Sequence, residues 1–447
     1  MTLLVISPDY ASHLLPLVTL ATAWRDAGER VVVASGPATA AIVAEFGFER
    51  IDLQLGRGSN AGVIRAEDQV DEEADSLRGF FDATRRGMVE TLAYQARERL
   101  VDLMWEPERA GRDVLRIVDE VKPDAILIDH LAFSARLALS VAGIPYGDVV
   151  LGHPSALPVG DERYGFPPAW PAAFSPGDAE LETLRALCDE VSANFTAAWN
   201  RTARELDPAA SAVEDAFAEH GPLVLYNYPA ELVADPSALP PHVFLGSTRR
   251  EEPADADVDA WIAHTPAFAY VSFGSFLSVR GDVLRRVVEA LASAGIVAAV
   301  ATGSTPADEL GPLPEGWLVR EYLPQVRLLA SASLAVTHGG NNSVTEALGA
   351  GVPLLVLPFS TDQFAGAAAI EDAGVGIALA PNTATVAELR SALLELAAPS
   401  PDRDALLARI AARQAAEPGP VLAFRALAAR PSSTSADIAA GSSDAAR

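Results

Sequence analysis

The 447-residue chain is 50% hydrophobic and 21% charged, a composition that supports two or three packed domains and excludes disorder over most of its length. Sixty acidic against 33 basic side chains give a net charge of −27, which sets the average surface against phosphate backbones and anionic lipid and excludes nucleic acid as an expected partner. The single cysteine, Cys188, excludes an intrachain disulfide and a Cys-rich metal centre. Short β-branched runs alternate with longer helical patterns, which predicts an α/β protein with parallel sheets. In chain order the first half offers strands at 3–7, 30–34, 125–128, 146–151 and 222–226, with helical patterns at 73–86 and 88–103 as cover over a cleft. Residues 229–260, rich in Pro, Asp, Glu and Ala, predict an exposed linker between an N-terminal domain, 1–228, and a C-terminal one, 261–430. The second domain offers strands at 269–273, 296–301, 317–321, 334–337, 353–357 and 376–380. Residues 431–447 have no apolar periodicity and predict a disordered tail. The first ten residues lack the features of a signal peptide, and no apolar run reaches about 18 residues, so the expectation is a soluble, cytoplasmic chain without stable membrane insertion.

Chemistry concentrates at predicted strand ends. The strand 334–337 runs into His338, a Gly-Gly turn that includes Gly340, and then Asn342 or Ser343 as the cap of a helix beginning near Val344. Backbone N–H groups at a helix start, small residues that permit close approach and a His donor suit a diphosphate without a metal. Glu346 is expected in the first turn, where it would accept from ribose hydroxyls. Read alone, the same residues also fit an ordinary glycine turn. Near the N-terminus, SPDYASHLLP at 7–16 joins the first strand to a helix in which Leu17, Leu20, Ala21 and Trp24 recur at helical spacing, so His13 is delivered to the cleft edge. Asp129 closes the strand 125–128 at the same edge, either as a turn residue or as a partner for a catalytic imidazole, with His130 as its rival. His153, Phe166 and Trp170 lie in a Pro-rich stretch that offers either an apolar wall for an acceptor or plain loop packing.

The run from YLPQ at 322–325 through THGGNNSVTE at 337–346 to PFSTDQ at 358–363 resembles the donor-binding segment of family 1 glycosyltransferases. That resemblance implies two Rossmann-like domains facing across a cleft, the GT-B arrangement, and sugar transfer from a UDP- or dTDP-sugar to a small, largely apolar acceptor. It implies that Tyr322 stacks on the base and that Gln325 and Glu346 hold the ribose. His338, Asn342 and Ser343 then bind the diphosphate, and Asp362 with Gln363 the sugar hydroxyls. YVSFGS at 270–275 is similar to the family's other phosphate loop, with Ser275 as donor. His13 then takes the place of the general base and Asp129 that of its acid partner, in an inverting reaction without metal or other cofactor. The sequence departs from the family pattern at Tyr322, which stands where Trp is frequent, at Asn341 and at Gly366, so the sugar and nucleotide stay open. A nucleotide-sugar 2-epimerase and a non-catalytic nucleotide-sugar-binding protein remain as alternatives. Asp255 and Asp257, an acidic pair in the linker, read as solvated charge, and GRGSNAG at 56–62 misses the spacing of a dinucleotide loop.

Overall fold

Two parallel sheets form the frame, and in both the central strands are short, apolar and buried on each face, as strands covered by helices on both sides must be. The computed structural model describes residues 1–62, 71–101 and 103–428; the tail expected at 431–447 lies outside them. The first sheet contains β1 (Thr2–Ile6), β2 (Arg30–Ser35), β3 (Glu49–Asp52), β4 (Ala125–Asp129), β5 (Gly147–Val150), β6 (Leu223–Tyr226) and β7 (His242–Phe244). Its order is β3-β2-β1-β4-β5-β6-β7. The second contains β8 (Ala269–Ser272), β9 (Ala298–Ala301), β10 (Leu318–Arg320), β11 (Leu334–Thr337), β12 (Leu354–Val356) and β13 (Gly376–Ala378), in the order β10-β9-β8-β11-β12-β13. In both sheets the strand order reverses beside the first strand, which opens a crevice at the carboxyl ends of the central pair.

The helices of the first domain are α1 (Ala11–Asp26), α2 (Ala40–Glu45), α3 (Asp71–Arg86), α4 (Met88–Val101), α5 (Pro107–Val121), α6 (Phe133–Val141) and α7 (Asp178–Leu206). Those that follow are α8 (Ala256–His264), α9 (Gly274–Leu277), α10 (Gly281–Ala294), α11 (Gln325–Leu329), α12 (Asn341–Gly349), α13 (Gln363–Asp372), α14 (Val386–Ala397), α15 (Pro401–Ala416) and α16 (Gly419–Ala428). Helix α3 is tied to the opposite domain, because the buried Arg280 donates to the Thr84 carbonyl at 3.0 Å and Asn382 Nδ2 donates to the same oxygen at 2.9 Å. The excursion 71–101 is thereby held over the cleft as expected.

Two expectations about domain limits need correction. The segment 229–260 is not a plain exposed linker: β7 pairs with β6, Leu232 and Leu245 are buried, and Asp255 caps α8 by accepting from the N–H groups of Asp257 and Val258. Asp255 and Asp257 are also ion-paired to Arg320, at 2.9 and 3.2 Å, rather than merely solvated. The chain end does not stay with the C-terminal domain either. Helix α16 returns to the first domain, where Ala423 and Leu427 join its core and Phe424 meets Trp24 edge to face at 5.0 Å.

Candidate active site

Between the two sheets lies a cavity of about 800 Å³, lined from both domains. On the N-terminal side β4 delivers Asp129 and the first turn of α1 delivers His13, both of which line it. His13 Nδ1 stands 2.8 Å from Asp129 Oδ2, while Asp129 Oδ1 accepts from the Leu131 N–H at 2.8 Å. Burial by itself lowers the His13 pKa, but the buried carboxylate of Asp129 outweighs it and the net shift is upward. With Nδ1–H given to the carboxylate, Nε2 is the nitrogen left to exchange a proton. His130, the sequence rival, is buried against Asp148 (Nδ1 to Oδ1, 3.1 Å), and burial together with Arg136 holds its pKa down. It belongs to a buried His130–Asp148–Arg136 group rather than to the dyad.

On the opposite wall β11 ends at His338, and α12 begins at Asn341 with Gly340 as its N-cap. The expected cap at Asn342 or Ser343 is therefore corrected, since both lie in the first turn. No side chain caps the helix, so the N–H groups of Asn341, Asn342 and Ser343 lack intrahelical carbonyls and face the cavity end. Burial pushes His338 down to about 4, which keeps it neutral, and its Nδ1 has no partner among the described residues. Gly274, at φ 66°, leaves room for this ring: a Cβ there would come within 2.7 Å of His338 Cε1. Ser275 follows it at the start of α9 and lines the same space.

Tyr322 is 67% exposed at the rim, where its ring is open for stacking. Gln325 lines the cavity, accepts from Ser343 Oγ at 3.1 Å and donates to Glu346 Oε2 at 2.6 Å. Glu346 corrects an expectation. It lies in the second turn of α12, is buried, and is not part of the cavity wall; Arg250 and Gln325, which are, bond to its two oxygens. Its Oε1 takes Arg250 Nη1 at 3.0 Å, and burial wins over that arginine so that the carboxyl pKa is raised. Arg250, also bonded to Glu252 at 2.7 Å, is a site residue that sequence reasoning missed; it sits in the acidic, Pro-rich segment that reads as linker.

Asp362 and Gln363 open α13 just after Thr361, whose φ of 52° is left-handed for a β-branched residue and marks local strain at the site. Gln363 Oε1 accepts from the N–H groups of Phe359 and Ser360, which shapes this turn. Asp362 reaches across the cleft, its Oδ2 accepting from the His153 N–H at 2.8 Å. Two further clasps span the domains: Asn341 Nδ2 donates to the Asn227 carbonyl at 2.9 Å and Asn342 Nδ2 to the Ser12 carbonyl at 3.0 Å. Pro16 has no N–H to offer that Ser12 oxygen within α1, which leaves it for Asn342. Of the acceptor-wall residues, Phe166 lines the cavity. His153 and Trp170 do not: His153 turns its ring to Ser155 and Tyr228, and Trp170 packs on Phe364 at 5.3 Å, where apolar contact outweighs exposure. Among the described residues no three His, Cys, Asp or Glu side chains gather as metal ligands, and no helix is long and apolar enough to cross a membrane.

Two parallel α/β domains that meet over such a cleft define the GT-B fold, and the solved structures that resemble this chain share it. A spinosyn forosaminyltransferase, SpnP, aligns over 96% of this chain and 98% of its own with a TM-score of 0.66 at 20% identity. The glycotransferase of kitacinnamycin aligns over 96% and 97% with a TM-score of 0.62 at 23% identity. In sequence the chain resembles bacterial natural-product glycosyltransferases: residues 284–429 match the C-terminal domain of the erythromycin biosynthesis protein CIII-like family. The oleandomycin glycosyltransferase of Streptomyces antibioticus is 32% identical over 222 residues, 46% of this chain; the chain spans only half (50%) of that relative. The zeaxanthin glucosyltransferase of Pseudescherichia vulneris is 25% identical over 83% of this chain and 84% of its own length.

Proposed function

We propose that the protein is an inverting glycosyltransferase that moves a sugar from a UDP- or dTDP-sugar to a hydroxyl of a small, largely apolar acceptor, without a metal ion. The observation that carries this reading is the His13–Asp129 dyad at 2.8 Å, in one cavity with the uncapped start of α12 and the His338 ring. His13 Nε2 takes the acceptor's hydroxyl proton as the oxygen attacks the anomeric carbon from the face opposite the diphosphate, and Asp129 stabilises the imidazolium. An α-linked donor then yields a β-glycoside through an oxocarbenium-like transition state. Charge growing on the departing diphosphate meets the α12 N–H groups, Ser275, Ser343 and the one N–H of neutral His338. Tyr322 stacks on the base, Gln325 and Arg250 face the ribose, and Glu346 orients both from behind. Asp362 meets the sugar hydroxyls. A cytoplasmic location is consistent with this reading.

Product analysis tests it: UDP- and dTDP-sugars are incubated with and without an aromatic alcohol, in EDTA. A β-glycoside formed only with acceptor supports the assignment. A free epimerised sugar nucleotide, or activity abolished by EDTA and restored by Mg²⁺, overturns it.

A further inference from the structure

Two arginines line the cavity, and their surroundings differ. Arg250 is held between Glu252 and Glu346. Arg99, on α4 above the acceptor side, has no ion-pair or hydrogen-bond partner among the described residues. Its neighbour Glu98 instead accepts from Ser76 Oγ. What positions Arg99 is aromatic: the guanidinium carbon stands 4.9 Å from the centre of the Tyr164 ring, which itself stacks on Phe217 at 3.9 Å. The backbone also makes room for it. Gly165 adopts φ 83°, and a Cβ there would lie 2.5 Å from Arg99 Nη1. One turn earlier on the same helix face Gln95 lines the cavity too, and its buried Oε1 has no donor.

A half-buried guanidinium stacked on a ring keeps the in-plane N–H groups at its edge available, and that edge matches a carboxylate in a two-pronged arrangement. A half-buried guanidinium that lines a cavity with no described carboxylate paired to it gains most from a counter-ion that arrives with the ligand. We propose that the acceptor side of the cavity holds an anion subsite, built from Arg99 over Tyr164 beside Gly165, that takes an acidic substituent of an aromatic acceptor, with Gln95 Oε1 accepting from an adjacent hydroxyl or N–H. This deepens the glycosyl-transfer reading and rests on it for the word acceptor; the binding claim itself does not need turnover.

The test is equilibrium binding of 6-hydroxy-2-naphthoic acid and its primary amide, which share shape and differ in charge. Wild-type protein should bind the acid about 10- to 100-fold more tightly, the range that charge-assisted hydrogen bonds give. Arg99→Met should erase the difference while nucleotide affinity and melting temperature stay unchanged, and Arg99→Lys should keep part of it. Equal binding of acid and amide by the wild type, no acid binding at millimolar concentration, or a preference that survives Arg99→Met overturns the subsite. Should the acid preference hold while no nucleotide sugar is ever turned over, the transfer reading fails and the anion subsite stands.

Discussion

Replacing Asp129 by Asn removes one charge and almost no volume, so its effect isolates what the carboxylate does for His13. Both oxygens of Asp129 are in use, Oδ1 by the Leu131 N–H at 2.8 Å and Oδ2 by His13 Nδ1 at 2.8 Å. An asparagine has one oxygen and one NH2 group, and the Leu131 N–H needs the oxygen. The NH2 therefore faces His13 and donates to Nδ1, which forces the ring proton onto Nε2, the atom meant to receive the acceptor's proton. Turning the amide over restores the useful tautomer but leaves the Leu131 N–H against an NH2, at a cost of about 1–3 kcal/mol, or about 5- to 150-fold in the population able to act as base. Loss of the negative charge beside the forming imidazolium adds to this, within the ~10² to 10⁴ that general-base catalysis contributes as a whole. The expected result is a kcat for an alcohol acceptor reduced by about 10² or more, with nucleotide affinity by calorimetry unchanged. Adding Asp129→Asn to His13→Ala should cost little further, because the pair works as one unit. A single Asp129→Asn enzyme within threefold of wild type would refute the base assignment. Full additivity in the double mutant would do the same for the coupling.

The upward shift of the His13 pKa has opposite consequences for activity and for stability. Catalysis needs the neutral ring, so kcat/KM should rise with pH through the raised value. The stabilising part of the interaction with Asp129 is fully present below the unfolded value of about 6.5 and is lost as pH rises through the folded one. The difference in melting temperature between wild type and His13→Gln should accordingly shrink from pH 6 to pH 9, and a constant difference contradicts it. Glu346→Ala leaves Arg250 and Gln325 without their shared anchor, so nucleotide affinity should fall together with about 1–3 kcal/mol of stability. Asp362→Ala should spare free-nucleotide affinity and depress transfer; equal loss of affinity in both variants on titration argues against separate ribose and sugar roles. Gly152→Ala places a Cβ 2.5 Å from Asp362 Oδ2 and should break the clasp to His153, seen as a larger radius of gyration in solution scattering than for wild type.

What the sequence made legible follows from where its signals are local. Strands buried on both faces read as unbroken apolar runs, and Asp129 and the turn carrying His13 follow such runs in the first sheet, so their meeting at its carboxyl edge follows from topology, while His338 ends a run of the second sheet. Strand β3, with the sequence ERID, lies at a sheet edge and has three charged residues among its four, so no apolar run announces it. Arg250 is hidden because an arginine among Glu, Pro and Asp looks like solvated charge until Glu346 is seen to be its buried partner. Arg99 is hidden for the same reason on an Arg-rich helix, and its role appears only with Tyr164, 65 positions on (164 − 99), beneath it. Helix α16 falls within the span 261–430 read as the C-terminal domain, and nothing in its own residues says that it crosses to the other one.

Three of the clasps between the domains share a property with consequences for divergence. Asp362, Asn341 and Asn342 each supply a side chain from the C-terminal half, and each lands on a main-chain atom of the other: the His153 N–H, the Asn227 carbonyl and the Ser12 carbonyl. Main-chain atoms survive substitution, so the acceptor half is free to exchange side chains at these positions without losing its grip on the donor half, provided the backbone path and Pro16 are kept. Hybrid proteins assembled from the acceptor half of one homologue and the donor half of another are free of side-chain matching at these three contacts, and must instead keep the course of the chain, Pro16, the small residue at 152 and the packing of Trp170 and Phe174 on Phe364.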